Sequence, residues 1–193
     1  MLLPIYFFVG FAVALLPSIV LSASNERSPV KSLLETRHEE VVVQQWDLSC
    51  GAAALATILK YEFNESITER DVASGLIARA EYLENPELVR HRQGFSLLDM
   101  KRYVESIGYE GIGLGSMSFE DLIDRAPIIV PINASGYNHF IVFKGMRDDK
   151  VWIADPAWGN RFESPQRFMK SWIEYPRMGR VAFQIVRPTT NEP

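Results

Sequence analysis

The sequence predicts an α+β domain, with helices in its first half packed on an antiparallel sheet formed by its second half. Apolar residues recur at helical spacing through the stretch that begins at Cys50, whereas from Pro127 onward β-branched and aromatic runs alternate with short turn signals. Size agrees: once any leader is set aside, about 170 residues remain, enough for one domain with its own core.

Taken in order, residues 25–40 (NERSPVKSLLETRHEE) are polar and read as a linker, and VVVQQ, which follows, is β-branched and extended. CGAAALATILKY sets Ala54, Leu55, Ile58 and Leu59 on one helical face, so a helix starts at or just after Cys50. Thr68 is a natural N-cap for the helix in SITERDVASGLIARA. Ser96, with Asp99 three residues on, caps a helix in GFSLLDMKRYVESIGY that ends near Gly108. A short helix follows Ser118. PIIVPINA, NHFIVFKGM, KVWIADPA and GRVAFQIV read as strands, with Asp148-Asp149-Lys150 turning the second into the third, and Ser164-Pro165 opens a helix in PQRFMKSWI. The globular domain is placed at residues 41–188, with a tail at 189–193.

Residues 1–24 (MLLPIYFFVGFAVALLPSIVLSAS) carry no charged side chain and read as a signal peptide or an N-terminal membrane anchor. Small residues near Ser24, with Pro4 and Pro17 interrupting the run, favour cleavage. The length of the run and the lack of a preceding Lys or Arg favour retention, in which case residues 1–21 associate with the membrane. The expected location is periplasmic or otherwise exported, anchored in the inner membrane if the leader is kept. The net charge is −4, and no basic stripe with interleaved aromatics is present, so nucleic acid is not an expected partner.

In an exported chain paired cysteines become disulfides, but this sequence has one cysteine, Cys50, which is either an inert buried residue or a reactive thiol. A helix N-terminus favours the thiolate, and Gly51 beside it would let a substrate backbone approach. A thiolate nucleophile needs a base, and the base an orienting partner. Of the three histidines, His38 lies in the polar lead-in, His91 in a charged loop, and His139 at the start of an apolar strand. None has metal-ligand spacing, so no metal or cofactor is expected. Asp155 ends the strand after that of His139, and a tight hairpin would set the two side by side, the carboxylate fixing the imidazole tautomer. Gln44 or Gln45 would supply an amide for a developing oxyanion. Tyr137, Asn138, Trp158 and Gly159 flank these positions and are candidates for a substrate groove, although a tryptophan there equally suits packing. Singly, each feature has a plain structural explanation: a small buried hydrophobe, a strand-opening histidine, a turn aspartate, a glutamine pair. Together, in the order Gln, Cys, His, Asp, they point to acyl transfer.

Those same stretches carry a resemblance to a known family. QQWDLSCGAAALATIL, GFSLLDMKRYVESIGY, GYNHFIVFKG and VWIADPAWGN, spanning about Val41 to Trp172, resemble the bacteriocin-processing, double-glycine leader peptidases, which are papain-like cysteine peptidases. The resemblance implies a papain-like fold with Cys50 as nucleophile, His139 as general base and acid, Asp155 as orienting carboxylate, and Gln44, six residues before the cysteine, as oxyanion donor in preference to Gln45. Family members that are exporter domains often carry Asp before the cysteine, where this chain has Ser49. With neither transporter helices nor a P-loop, the chain reads as a standalone exported relative. Its implied partner is a peptide or protein substrate: a leader, or a secreted or amyloid-forming protein handled by a secretion or functional-amyloid assembly system. Two alternatives are another cysteine-dependent acyl transfer, such as amidase or transpeptidase chemistry, and a non-catalytic peptide-binding module.

Overall fold

Five helices begin on side-chain caps that the sequence itself supplies. The computed structural model of the chain describes residues 30–188 apart from 79, 86, 92 and 93. The leader expected at 1–24, residues 25–29 of the linker and the tail at 189–193 lie outside the described residues. In chain order the elements are α1 (Leu33–His38), α2 (Cys50–Tyr61), α3 (Glu69–Ile77), α4 (Ala80–Glu84), α5 (Glu87–His91), α6 (Leu97–Ser106), β1 (Glu110–Leu114), α7 (Phe119–Asp124), β2 (Ile128–Ala134) and β3 (Tyr137–Arg147). They continue with β4 (Lys150–Asp155), β5 (Gly159–Glu163), α8 (Pro165–Ser171), β6 (Glu174–Tyr175), β7 (Gly179–Arg180) and β8 (Ala182–Val186). Ser32, Thr68, Ser96 and Ser118 each close a reciprocal capping box with the acidic residue three positions on. Ser164 caps α8 with Pro165 in its first turn. Among the described residues no helix is long and apolar enough to cross a membrane.

One six-stranded antiparallel sheet, in the order β1-β8-β2-β3-β4-β5, forms the second layer, and β6 and β7 pair separately. Its residues alternate between two cores, as the strand period requires. Val142, Ala154 and Phe183 face Leu55 and Leu59 of α2, whereas Ile141, Phe143 and Ile153 face Leu122 of α7 and Phe168 and Trp172 around α8. Every residue of α2 from Cys50 to Leu59 is buried. Its alanines combine high helix propensity with little bulk, which suits a helix enclosed by the rest of the domain.

The structure changes several sequence readings. VVVQQ is extended but joins no ladder: Val42 N donates to Thr57 Oγ1 at 3.0 Å, and Gln44 N to the carbonyl of Pro156 at 2.8 Å. The two outermost strands, EGIGL and GNRFE, are not expected from the sequence, because glycine, asparagine and charge lower their strand propensity. GRVAFQIV divides into β7 and β8. The part of the linker after Val30 is not a loose connection. It contains α1, which docks on β5: a Cβ on Gly159 would lie 2.5 Å from the carbonyl oxygen of Arg37, and Asn160 Nδ2 donates to the carbonyl of Glu39 at 2.5 Å. At the opposite edge, Lys101 of α6 donates to the carbonyl of Gly111 in β1 at 2.8 Å.

The β3–β4 hairpin turns tightly on Asp148 and Asp149, both at positive φ, as a two-residue turn of the primed kind demands. Its register decides the site. Beside the turn Met146 pairs with Val151 and Gly145 with Trp152. Beyond a one-residue bulge Phe143 pairs with Ile153 and Val142 with Ala154. An unshifted register would set Asp155 opposite Val142 and turn His139 to the other face, because a slip of one residue inverts every side chain. The bulge at Lys144 sets Asp155 opposite Ile141, so His139 lies on its face. Hairpin adjacency alone therefore accounts for proximity but not for facing. Gly145, at φ 125°, makes the bulge possible. Gly145→Val is expected to cost about 1–3 kcal/mol of stability through backbone strain, since the nearest side-chain atom to an added Cβ is 3.9 Å away; a denaturant midpoint close to that of the wild type would count against this.

Candidate active site

Cys50 is the first residue of α2, buried at 6% exposure, with its thiol unpaired by any disulfide. The helix dipole there favours negative charge. His139, 3% exposed, sits near the start of β3, and Asp155, 1% exposed, ends β4. His139 Nε2 lies 2.7 Å from Asp155 Oδ1. The Cys50 thiol shares the cleft with the imidazole, and with Nε2 engaged on Asp155, Nδ1 is the nitrogen left to face it. Burial alone would lower the pKa of His139. The Asp155 carboxylate and the Cys50 sulfur outweigh burial and raise it from the ordinary 6.5 to about 9. Asp155 is also pulled two ways. Burial pushes its carboxyl upward, but His139 and Arg161 prevail and hold it below the usual carboxylate range.

Asp155 is held from three directions. Besides His139, Ala157 N donates to Oδ1 at 2.9 Å and Arg161 Nε donates to Oδ2 at 2.9 Å. Arg161 in turn reaches Glu163 through Nη1 at 2.9 Å. These residues share one face because Ile153 pairs with Arg161 and Val151 with Glu163, which leaves Asp155 one strand step from both the histidine and the arginine. Sequence reading missed Arg161. The available signal was the alternation of Arg161, Phe162 and Glu163, one charged face of a short strand.

Gln44 and Gln45 separate clearly. Gln44 lines a narrow cleft of about 70 Å³ together with Leu48, Cys50, Tyr137, Asn138, His139 and Ala157. Its Nε2 donates to the carbonyl of Trp46 at 3.2 Å, leaving the second amide hydrogen for another acceptor, and its Oε1 is buried without a protein partner. Gln45 is exposed and instead lends its backbone N–H to Glu69. A wider cleft of about 690 Å³ adjoins the narrow one, sharing Gln44, Leu48, Tyr137 and Asn138 and adding Asp47 and Arg90.

Tyr137 and Asn138 are at both clefts. Two glycines are not. Gly51 is buried, and a Cβ there would lie 2.5 Å from Met100 Cε and 3.3 Å from Phe140 Cδ2, so its missing side chain admits α6 and β3 rather than a substrate. Gly159 faces α1, as described above. Trp158 is exposed at 66% and lies outside both clefts. His38 ends α1 and His91 ends α5.

A cysteine-bearing helix packed on an antiparallel sheet, with a buried imidazole–carboxylate pair at the helix N-terminus, defines a papain-like cysteine peptidase domain. Comparison with known proteins narrows the class. The Peptidase C39 family profile matches residues 38–176, and the chain belongs to that family. A protein of Pseudomonas aeruginosa named probable functional amyloid protease FapD is 41% identical over 145 residues, 74% of this chain, and its namesake in Pseudomonas fluorescens is 41% identical over 143 residues. The chain spans 61% of the length of each of these relatives. Among solved structures, a double glycine motif protease from an AMS/PCAT transporter, in complex with its leader peptide, superposes with TM-score 0.58 at 24% identity, covering 76% of this chain and 90% of its own. The peptidase domain of Streptococcus ComA superposes with TM-score 0.60 at 18% identity, covering 78% and 99% respectively. These two likenesses carry the fold.

Two outcomes follow from the geometry. Because folding raises the His139 pKa, the pair contributes stability that is complete below about pH 6.5 and is lost as pH rises through about 9; thermal melts of wild type against His139→Gln across that window should show the slope only in the wild type. Arg161→Met should lower kcat several-fold by releasing Asp155. With that cation gone, the imidazolium is stabilised further, so the alkaline limb of kcat/KM should move upward; an unmoved limb would leave Arg161 a merely structural residue.

Proposed function

We propose that this chain is an exported thiol peptidase in which Cys50 is the nucleophile, His139 the acid and base, Asp155 its orienting carboxylate, and Gln44, with the Cys50 backbone N–H, the oxyanion donor. The observation that carries the reading is the buried His139–Asp155 pair meeting a lone thiol at a helix N-terminus. The Cys50 thiolate attacks the scissile carbonyl, forming the S–C bond and placing negative charge on the carbonyl oxygen beside the Gln44 amide. Collapse breaks the C–N bond, and the amine leaves with the proton of the His139 imidazolium. Water then attacks the thioester, gives a proton to His139 and releases the carboxylic acid, restoring the thiolate–imidazolium pair. Asp155 stays ionised throughout and holds the Nε2–H in place.

The cleft at Cys50, about 70 Å³, is narrow beside the wider one that adjoins it. That constriction suits glycine-sized residues at the scissile bond, with the flanking peptide in the wider cleft. We therefore propose cleavage after small residues, Gly-Gly above all, as in the name of the double glycine motif protease that shares the fold. The apolar first 24 residues support export, and the two Pseudomonas relatives named functional amyloid proteases support a secreted or amyloid-forming protein as substrate.

The test uses iodoacetamide and a fluorogenic peptide amide ending in Gly-Gly. Alkylation of Cys50 should be fast at pH 6 in the wild type and slow in His139→Ala. An ordinary thiol, by contrast, would react mainly near its pKa of about 8.5, whatever stands at position 139. Hydrolysis should fall at least about 10³-fold in Cys50→Ala and His139→Ala, and about 10²-fold in kcat in Gln44→Ala, with Gln45→Ala close to wild type. Activity should decline above about pH 9, where His139 loses its proton. Alkylation that ignores His139 would sink the proposal.

A further inference from the structure

Glu69 opens α3, distant in sequence from every residue of the proposed mechanism, yet it is 4% exposed. A carboxylate taken out of water is costly unless it is well bonded. This one is bonded to a single target, the loop that joins Gln44 to Cys50. Both of its oxygens receive the backbone N–H of Gln45, at 3.1 and 3.0 Å, and Oε1 lies 2.5 Å from Ser49 Oγ. One side chain therefore grips the residue after Gln44 and the residue before Cys50. Within the loop the carbonyl of Trp46 accepts from Gln44 Nε2 at 3.2 Å and lies 2.6 Å from Ser49 Oγ, so the side chain of Gln44 is tied to the same cluster. Leu48 in the loop is held at φ 67°, a left-handed conformation that a leucine adopts only when its surroundings impose it.

We infer that Glu69 is a positioning residue for the oxyanion hole: it fixes the Gln44–Cys50 loop so that the Gln44 amide and the Cys50 N–H converge on one oxygen. The inference rests on the roles proposed above for Gln44 and Cys50. Glu69 touches no reacting atom and acts through Gln45 and Ser49. It should matter to the transition state rather than to substrate binding, because the hole is filled only when the oxyanion forms.

The experiment is a double-mutant cycle in the full chain with Glu69→Ala, Glu69→Gln, Gln44→Ala and the Gln44→Ala/Glu69→Ala pair. It reads kcat and KM on the Gly-Gly peptide amide, inhibition by a peptide aldehyde ending in Gly-Gly, and iodoacetamide alkylation at pH 6. Glu69→Ala should lower kcat about 10²-fold with KM within about twofold, the loss that a misplaced catalytic group brings. It should weaken the aldehyde, whose adduct carries the oxyanion, and spare alkylation, which needs no hole. Glu69→Gln, which keeps an acceptor for the Gln45 N–H, should recover kcat to within about tenfold of wild type. The pair should fall well short of the product of the two single losses, because Glu69 acts in part through the Gln44 amide. Losses that multiply, a kcat unaffected by Glu69→Ala, or alkylation falling in step with turnover would each overturn the inference. Should Glu69→Ala not fold, Ser49→Ala, which frees one end of the loop, takes its place in the cycle: a fall in kcat that spares KM and alkylation supports the inference, and an unchanged kcat overturns it. If Gln44→Ala itself leaves kcat intact, the oxyanion role of Gln44 fails and this inference with it; if Gln44→Ala lowers kcat and Glu69→Ala does not, Glu69 alone is misassigned.

Discussion

The hydrogen bond between His139 Nε2 and Asp155 Oδ1 is the constraint to which the rest of the site answers. Its partners come from neighbouring strands, so it exists only if the strands are in the right register and their side chains share a face. The bulge at Lys144 meets the second condition, and Gly145 makes the bulge possible. The turn after Asp155 then does double service. Its Ala157 N–H helps to fix the carboxylate, while its Pro156 carbonyl receives the backbone N–H of Gln44 and draws the extended segment alongside the pair. One short turn thereby links both the strand pair and the glutamine to a common frame.

The thiol reaches that frame from another layer. Helix α2 is enclosed by α3, α6 and the sheet, and its small residues allow that enclosure. Gly51 marks the tightest point, against Met100 and Phe140. The position of Cys50 is therefore set by packing of the whole helix, whereas the approach to it is set by the loop from Gln44 to Ser49. The two determinants have different physical characters: close-packed apolar contacts hold Cys50, and hydrogen bonds to one buried carboxylate hold the loop beside it.

Much of this was legible in the sequence, and the parts that were not share a cause. Helix starts at Thr68, Ser96 and Ser118 could be read because capping is local, decided within four residues. Cys50, His139, Asp155 and Gln44 could be singled out because their order and settings match a known chemistry. Arg161 and Glu69 could not, because each acts across a tertiary contact that leaves no local pattern. Glu69 looks like any acidic residue in the first turn of a helix. The same limit explains Gly51 and Gly159: a glycine beside a catalytic motif suggests access for a substrate, but only the fold shows that Met100 and Arg37 occupy the space instead. The edge strands escaped for a different reason, since glycine and charge weaken strand propensity and their pairing is imposed by neighbours already in the sheet.

Those edges carry a further consequence. A sheet ends in a row of backbone groups ready to recruit another chain. Here β5 is overlaid by α1, with Gly159 pressed on the Arg37 carbonyl and Asn160 spent on Glu39, while on β1 a lysine from α6 occupies the Gly111 carbonyl. A sheet with open borders can serve as a template for cross-β stacking of an extended chain that meets it. With a helix laid over one border and a lysine bound at the other, this domain offers little for such an array to extend.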